Sequence, residues 1–200
     1  MYYSYRYSRE RQDIIVAVLG LTLAFFIVIV RSSRVFSAAV AALALGESLL
    51  ITLTAFLLHE MSHRYFARSY GGIAYFRLWP LGLVLALVTS VIGIIFAAPG
   101  AVNIGGIYRR DQVGKVALAG PGGANIAMSV VFLMAYLLAG HAGIVSPILQ
   151  ELSELNAWFA LFNMIPVPPL DGQKVLSWDI RAFGGATLAI ALILFLILIV

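Results

Sequence analysis

Residues 36–64 read FSAAVAALALGESLLITLTAFLLHEMSHR. From Phe36 to Leu58 the run is almost wholly apolar, and at about 1.5 Å per residue a helix of that length exceeds a hydrocarbon core about 30 Å thick. Five further apolar runs flank it: Ile14 to Val30, Leu78 to Ala98, Val116 to Ala139, Ile148 to Ile165 and Gly185 to Val200. The whole chain of 200 residues is 62% hydrophobic and 11% charged, whereas charged residues make up about a quarter of a typical soluble protein. The expected fold is therefore an all-α polytopic membrane protein, a bundle of five to six hydrophobic segments. No extended polar stretch remains for a second domain, so residues 1–200 are read as a single membrane-embedded domain. The first run lacks a small-residue cleavage site and reads as a retained span.

The net charge of +4 comes from basic residues placed beside the apolar runs. There they set orientation or meet anionic lipid, which argues against a nucleic-acid partner. If all six runs cross, the 13 Lys and Arg split almost evenly between the two sides. If Leu78 to Ala98 instead enters and returns as a re-entrant segment, Arg6, Arg9, Arg11, Arg64, Arg68, Arg77, Arg109, Arg110, Lys115, Lys174 and Arg181 fall inside, against Arg31 and Arg34 outside. The run contains Pro80, Gly82, Gly93, Pro99 and Gly100, residues that bend or break helices. The re-entrant arrangement is favoured. It places the N-terminus on the cytoplasmic side of a multi-pass protein of the cell membrane.

At the end of the second run stands His59-Glu60-Met61-Ser62-His63. Histidines at i and i+4 share a helix face, so both imidazoles can reach one tetrahedral zinc ion. Glu60 is placed to take a proton from water activated by the metal and to pass it on. Ionisable groups at the end of an apolar helix are expensive, which raises the weight of a short motif. With no cysteine in the chain, a third ligand must come from His, Asp or Glu. His141 falls in a Gly-rich turn at the opposite face, and Glu151 and Glu154 open the fifth run on that same far side. Asp171 follows Asn163 through Leu170, where Pro166, Pro168 and Pro169 must unwind the fifth span near its inner end. In the re-entrant topology it arrives at the depth of His59 and His63, on the cytoplasmic side.

These motifs resemble the site-2 protease family of intramembrane metalloproteases. The resemblance rests on His59 to His63 with Arg64 and Ala67 to Gly71, on Ala119-Gly120-Pro121 with Asn125, and on Asn163 to Pro166 with Pro169-Leu170-Asp171-Gly172. It covers a core from about Phe36 to Leu176. It implies one zinc ion per chain held by His59, His63 and Asp171, with Glu60 as catalytic base. It also implies that Asn163 contacts substrate or stabilises the oxyanion, although its amide can equally bond the carbonyls of a proline-broken helix. The implied activity is cleavage of the transmembrane helix of a membrane-anchored protein substrate within the lipid bilayer. The segment around Gly105 and Gly106 is either loop punctuation or an extended segment able to pair with unwound substrate.

Small residues at Ala119, Gly120, Gly122, Gly123 and Ala127 would allow close helix packing. Lys174 and Arg181 read as interfacial anchors, and Gly185 to Val200 as a lipid-facing span. Two other functions use the same residues: a divalent-metal carrier, which has no need of Glu60 beside its first ligand, and a catalytically silent relative that binds helices without cutting them.

Overall fold

The computed structural model describes residues 2–33, 37–95, 98–140 and 143–199, with side chains from Arg9 onward. Arg34 and His141, both used in the sequence reading, lie outside the described residues. Among the described residues, four helices are long and apolar enough to cross a membrane: Arg9–Ser32, Ala38–Ser69, Arg110–Ala139 and Ile180–Ile199. Many of their large apolar side chains are exposed, including Leu19, Leu188 and Leu198. Such faces suit lipid, since lipid removes the cost that water would impose on them. The chain is mostly helical and of membrane type.

By packing, the chain divides into Met1–Leu53 with Ala74–Asn103, and Thr54–Ile73 with Ile104–Val200. The first unit contains α1 (Tyr2–Ser32), α2 (Ala38–Ile51), most of strand β1 (Ile73–Leu78), α4 (Pro80–Ser90) and most of strand β2 (Gly100–Gly105). The strands pair as a two-stranded sheet, a departure from the expected all-α fold. The extended segment expected near Gly105 is the end of β2, and Gly106 follows with a positive φ of 78°. One edge of β1 is covered by α1: Glu10 Oε1 accepts from the Phe76 N–H at 3.0 Å and Asp13 Oδ2 from the Leu78 N–H at 3.4 Å. Alternate residues of a strand present N–H groups to one side, so two carboxylates three apart on a helix can satisfy both.

The run Leu78 to Ala98 returns to where it starts. The Trp79 N–H donates to the Pro99 carbonyl at 2.8 Å, closing the excursion at its base. Its one helix among the described residues, α4, has 11 residues, about 16 Å, too short to cross by itself. The excursion is nevertheless deep. It leaves beside Asp13 and reaches Arg31, near the other end of α1, where Arg31 Nη1 donates to the Val91 carbonyl at 2.7 Å.

The second unit holds α3 (Leu58–Ser69), α5 (Arg110–Leu118), α6 (Ile126–Ala139), α7 (Val145–Asn163), α8 (Asp171–Trp178) and α9 (Ile180–Ile199). Ala117, Ala160, Met164, Val175 and Ile190 form its core, with Leu118, Phe183 and Trp178 packed around them. Helices α6 and α7 are tied by Ser129 and Ser153, whose hydroxyls each donate to the other's carbonyl at 2.9 and 2.8 Å. Helix α9 buries Ile190, Leu194 and Ile197 and exposes Leu192, Phe195 and Leu198. The tail expected to face lipid therefore does so on one side only, the other packing on Ala157 of α7. The chain between α7 and α8 carries Pro166, Pro168 and Pro169 and is not helical, as their missing N–H groups require.

Candidate metal centre

Two π-helical turns frame the centre. One, Thr52–Leu57, leads into α3, and the other, Ala119–Asn125, joins α5 to α6. The second has a local cause: Pro121 offers no N–H to the turn before it and its ring crowds that turn, so the helix widens rather than breaks. The second turn meets the histidines of α3 directly through Gly120 and Asn125, and the first accepts from Asn125 at the Ala55 carbonyl.

His59 and His63 are buried on one face of α3, 5% and 6% exposed, and Asp171 at the first turn of α8 is 6% exposed. Their ligand atoms all lie within 4.8 Å of one another. His59 Nε2 is 3.3 Å and His63 Nε2 3.0 Å from Asp171 Oδ2, and the two Nε2 atoms are 2.9 Å apart.

The tautomers follow from the groups behind the rings. His63 Nδ1 lies 2.7 Å from the Val116 carbonyl, which can only accept, so Nδ1 carries the proton. Asn125 Nδ2 donates to the Ala55 carbonyl at 2.9 Å, which turns its Oδ1 towards His59 Nδ1 at 2.6 Å. His59 Nδ1 is therefore also a donor. Both Nε2 lone pairs and a carboxylate oxygen then converge on one point, and three acceptors at this spacing repel unless a cation lies among them. Ligand distances of about 2.0–2.2 Å around a tetrahedral zinc put neighbouring donor atoms about 3.3–3.6 Å apart. The observed separations fit that ion after small adjustments, and the fourth corner is left for water.

The surroundings hold this arrangement. Gly120 lies so close that a Cβ there would be 2.5 Å from His63 Nε2 and 2.7 Å from His59 Cε1. The small residue admits the imidazoles, a sharper role than the helix packing expected of it. At Gly172 a Cβ would overlap the Met164 carbonyl, so the end of α7 can abut the start of α8 and seat Asp171. Burial alone would raise the Asp171 carboxyl. Where protons rather than a metal ion lie between the rings and the carboxylate, the charge of protonated His63, hydrogen bonds from His59 and His63 and the Lys174 ammonium outweigh it and hold the group below the usual carboxylate range. Lys174 Nζ sits 3.0 Å from Asp171 Oδ1. The sequence reading put Lys174 away from the site, at the interface; the i, i+3 spacing on α8 brings it to the ligand instead.

Glu60 is half-buried on α3, next in sequence to His59. Asn163, at the last turn of α7, donates from Nδ2 to the Phe159 carbonyl at 2.9 Å, the local bond that a helix end invites. Glu151 and Glu154 lie on α7 outside the cluster.

Sequence reasoning assigned no role to Asn125, Asn156 or Val116. Asn125 and Asn156 are fully buried, and Asn156 Nδ2 donates to Thr54 Oγ1 at 3.0 Å and to the Leu152 carbonyl at 2.8 Å. An amide within an apolar run must be paired, and that signal was legible at both positions. The Val116 carbonyl left no trace in the sequence.

No family model and no solved structure matches the chain. The protein named "Putative zinc metalloprotease MJ0611" of Methanocaldococcus jannaschii is 40% identical over 134 residues, covering 66% of this chain and 70% of that protein. The chain belongs to this zinc metalloprotease family. "Putative zinc metalloprotease YwhC" of Bacillus subtilis is 30% identical over 156 residues, 68% of this chain and 70% of that protein. The cofactor of this zinc metalloprotease is zinc, and the buried group of His59, His63 and Asp171 suits that ion.

Proposed function

We propose that this metalloprotease is an intramembrane enzyme of the site-2 type, hydrolysing peptide bonds in the transmembrane segments of membrane-anchored proteins. The observation that carries the reading is the buried convergence of His59, His63 and Asp171, with Glu60 beside it, at the end of a helix apolar and long enough to cross a bilayer. His59 lies 21 residues beyond Ala38, about 31 Å along that helix, which suits a centre near one face of the hydrocarbon core. The proposed orientation puts that face and the N-terminus towards the cytoplasm, in the cell membrane.

His59, His63 and Asp171 would hold the zinc, their geometry kept by Asn125, Val116 and Gly120. When bound, the ion polarises the scissile carbonyl and lets water lose its proton near neutral pH. Glu60 takes the proton from the attacking water and returns it to the leaving amine. The Asp171 carboxylate offsets part of the charge that gathers there, and Lys174 keeps its second oxygen engaged. Asn163 would steady the substrate or its developing oxyanion through the second Nδ2 hydrogen, the first being bonded to the Phe159 carbonyl. A substrate helix hides its carbonyls in its own hydrogen bonds, so segments with Gly or other weak helix formers near the cut are preferred.

The test is a panel of single-span substrates with purified wild type and Glu60→Gln, zinc being measured in both. Cleavage by wild type together with a zinc-replete, inactive Glu60→Gln supports the reading. Two zinc-replete proteins, neither of which cuts, while wild type moves zinc across liposomes, would favour a metal carrier instead.

A further inference from the structure

Helices α5 and α8 meet where two candidate spans begin. Arg110 is the first residue of one span, and Trp178 precedes the other by two residues. Between them lies a cleft of about 190 Å³ lined by Tyr108, Arg110, Val113, Gln173, Lys174 and Trp178, with the Ser177 hydroxyl at its edge. Trp178 packs on Gly114, leaving no room for a Cβ there, and Lys115 Nζ lies 6.0 Å from the centre of its ring. Tryptophan and tyrosine beside cations at the ends of spans mark the headgroup layer of a bilayer.

The charges around the cleft are unequal in their commitments. Arg109 and Lys115 both pair with Asp111, at 3.1 and 3.7 Å, and Lys174 pairs with Asp171 at 3.0 Å. Asp179 accepts from the N–H groups of Arg181 and Ala182 as a helix cap. Arg110 has no carboxylate partner among the described residues. Arg110 lines the cleft together with Lys174, Gln173 and Ser177, and the Gln173 amide donates to the Ser177 hydroxyl at 3.2 Å, which leaves that hydroxyl its own proton to donate. Two cations and a hydroxyl donor, flanked by Tyr108 and Trp178, suit a phosphate oxyanion, whose several oxygens can engage all three.

We propose that this cleft binds a phosphate group, supplied by the headgroup of an anionic lipid, with Arg110 as its principal contact. The aromatic walls lie against the glycerol region, and the two spans that begin at the cleft keep it at headgroup depth. Because Lys174 faces both the cleft and Asp171, the lipid is held next to the metal centre. The inference requires only that the protein sits in a membrane and is independent of proteolysis.

The test uses the full chain in an uncharged detergent, titrated with phosphatidylglycerol, phosphatidylcholine or inorganic phosphate, bound molecules being counted by native mass spectrometry. The expected result is one phosphatidylglycerol bound at least tenfold more tightly than phosphatidylcholine. Arg110→Gln should weaken it about tenfold and Arg110→Lys less, because lysine keeps the charge but loses the fork. Arg181→Gln removes an equal charge from the same end of the molecule without lining the cleft, and should leave the affinity unchanged. Zinc content reports whether each variant is folded, and Ser177→Ala gives a milder probe should Arg110→Gln lose its zinc. Equal binding of the two lipids, or equal losses in Arg110→Gln and Arg181→Gln, would overturn the site. Inorganic phosphate that displaces phosphatidylglycerol at similar concentrations would overturn the lipid as the source.

Discussion

Asn125 performs two separable tasks, and its variants should separate them. Its Oδ1 fixes the His59 ring through a 2.6 Å bond to Nδ1, and its Nδ2 satisfies the Ala55 carbonyl in the π turn at 2.9 Å. Removing a hydrogen-bond partner behind a metal-ligating histidine typically costs about 10- to 100-fold in metal affinity. Leaving a buried carbonyl without its donor costs about 1–3 kcal/mol of stability. Asn125→Ala removes both groups, so zinc affinity should fall by about 10- to 100-fold while the zinc-free protein loses about 1–3 kcal/mol. Asn125→Asp keeps an acceptor for His59 Nδ1 but offers Ala55 nothing. It should retain zinc within about tenfold of wild type, since a carboxylate also orients a ligating histidine, yet lose as much stability as Asn125→Ala. Chelator-buffered zinc titration gives the first quantity and thermal unfolding of the zinc-free protein the second. If Asn125→Ala binds zinc as wild type does, or if Asn125→Asp loses zinc as severely as Asn125→Ala, the bond behind His59 does not govern the metal.

Other substitutions probe the same centre from different sides. Glu60→Gln should keep its zinc and lose at least about 100-fold in peptide-bond hydrolysis, the scale of general acid–base catalysis; full activity would remove Glu60 from the chemistry. Gly120→Ala places a methyl 2.5 Å from His63 Nε2, so zinc content should drop even where the protein still inserts and folds. Asp171→Ala should weaken zinc by more than about 100-fold, exceeding any change behind a ligand, and zinc titration would show a smaller loss if the carboxylate were only a neighbour. Stripping zinc with a chelator should lower the unfolding temperature, because at a thousand times Kd bound metal stabilises by about 4 kcal/mol; an unchanged temperature would mean that the ion and the fold are not linked.

The sequence by itself carried what is local or periodic. The apolar runs announced a membrane protein because hydrocarbon demands long uninterrupted apolar helices. His59 and His63 were legible as a pair because i, i+4 spacing puts two side chains on one helical face wherever the helix lies. Asp171 was found through the three prolines before it, since broken helix in an apolar run needs a reason. The distribution of Lys and Arg favoured a return of Leu78 to Ala98, and in the structure the Trp79 N–H bonds the Pro99 carbonyl at the base of that run.

Contacts between distant residues were decided only in three dimensions. Asn125 meets His59 across 66 positions, and Val116 meets His63 across 53. No spacing rule relates residues so far apart, and a backbone carbonyl is the same atom at every position, so Val116 could not be singled out. Strand β1 and its pairing with β2 were hidden because β1 is held by β2 on one side and by Glu10 and Asp13 of α1 on the other rather than showing a clean alternation of its own. Lys174 read as an anchor because a lysine near a span end ordinarily is one. It is a partner of Asp171 because i, i+3 spacing on α8 puts both on one helix face, a local relation that became visible once the helix was seen to start at Asp171.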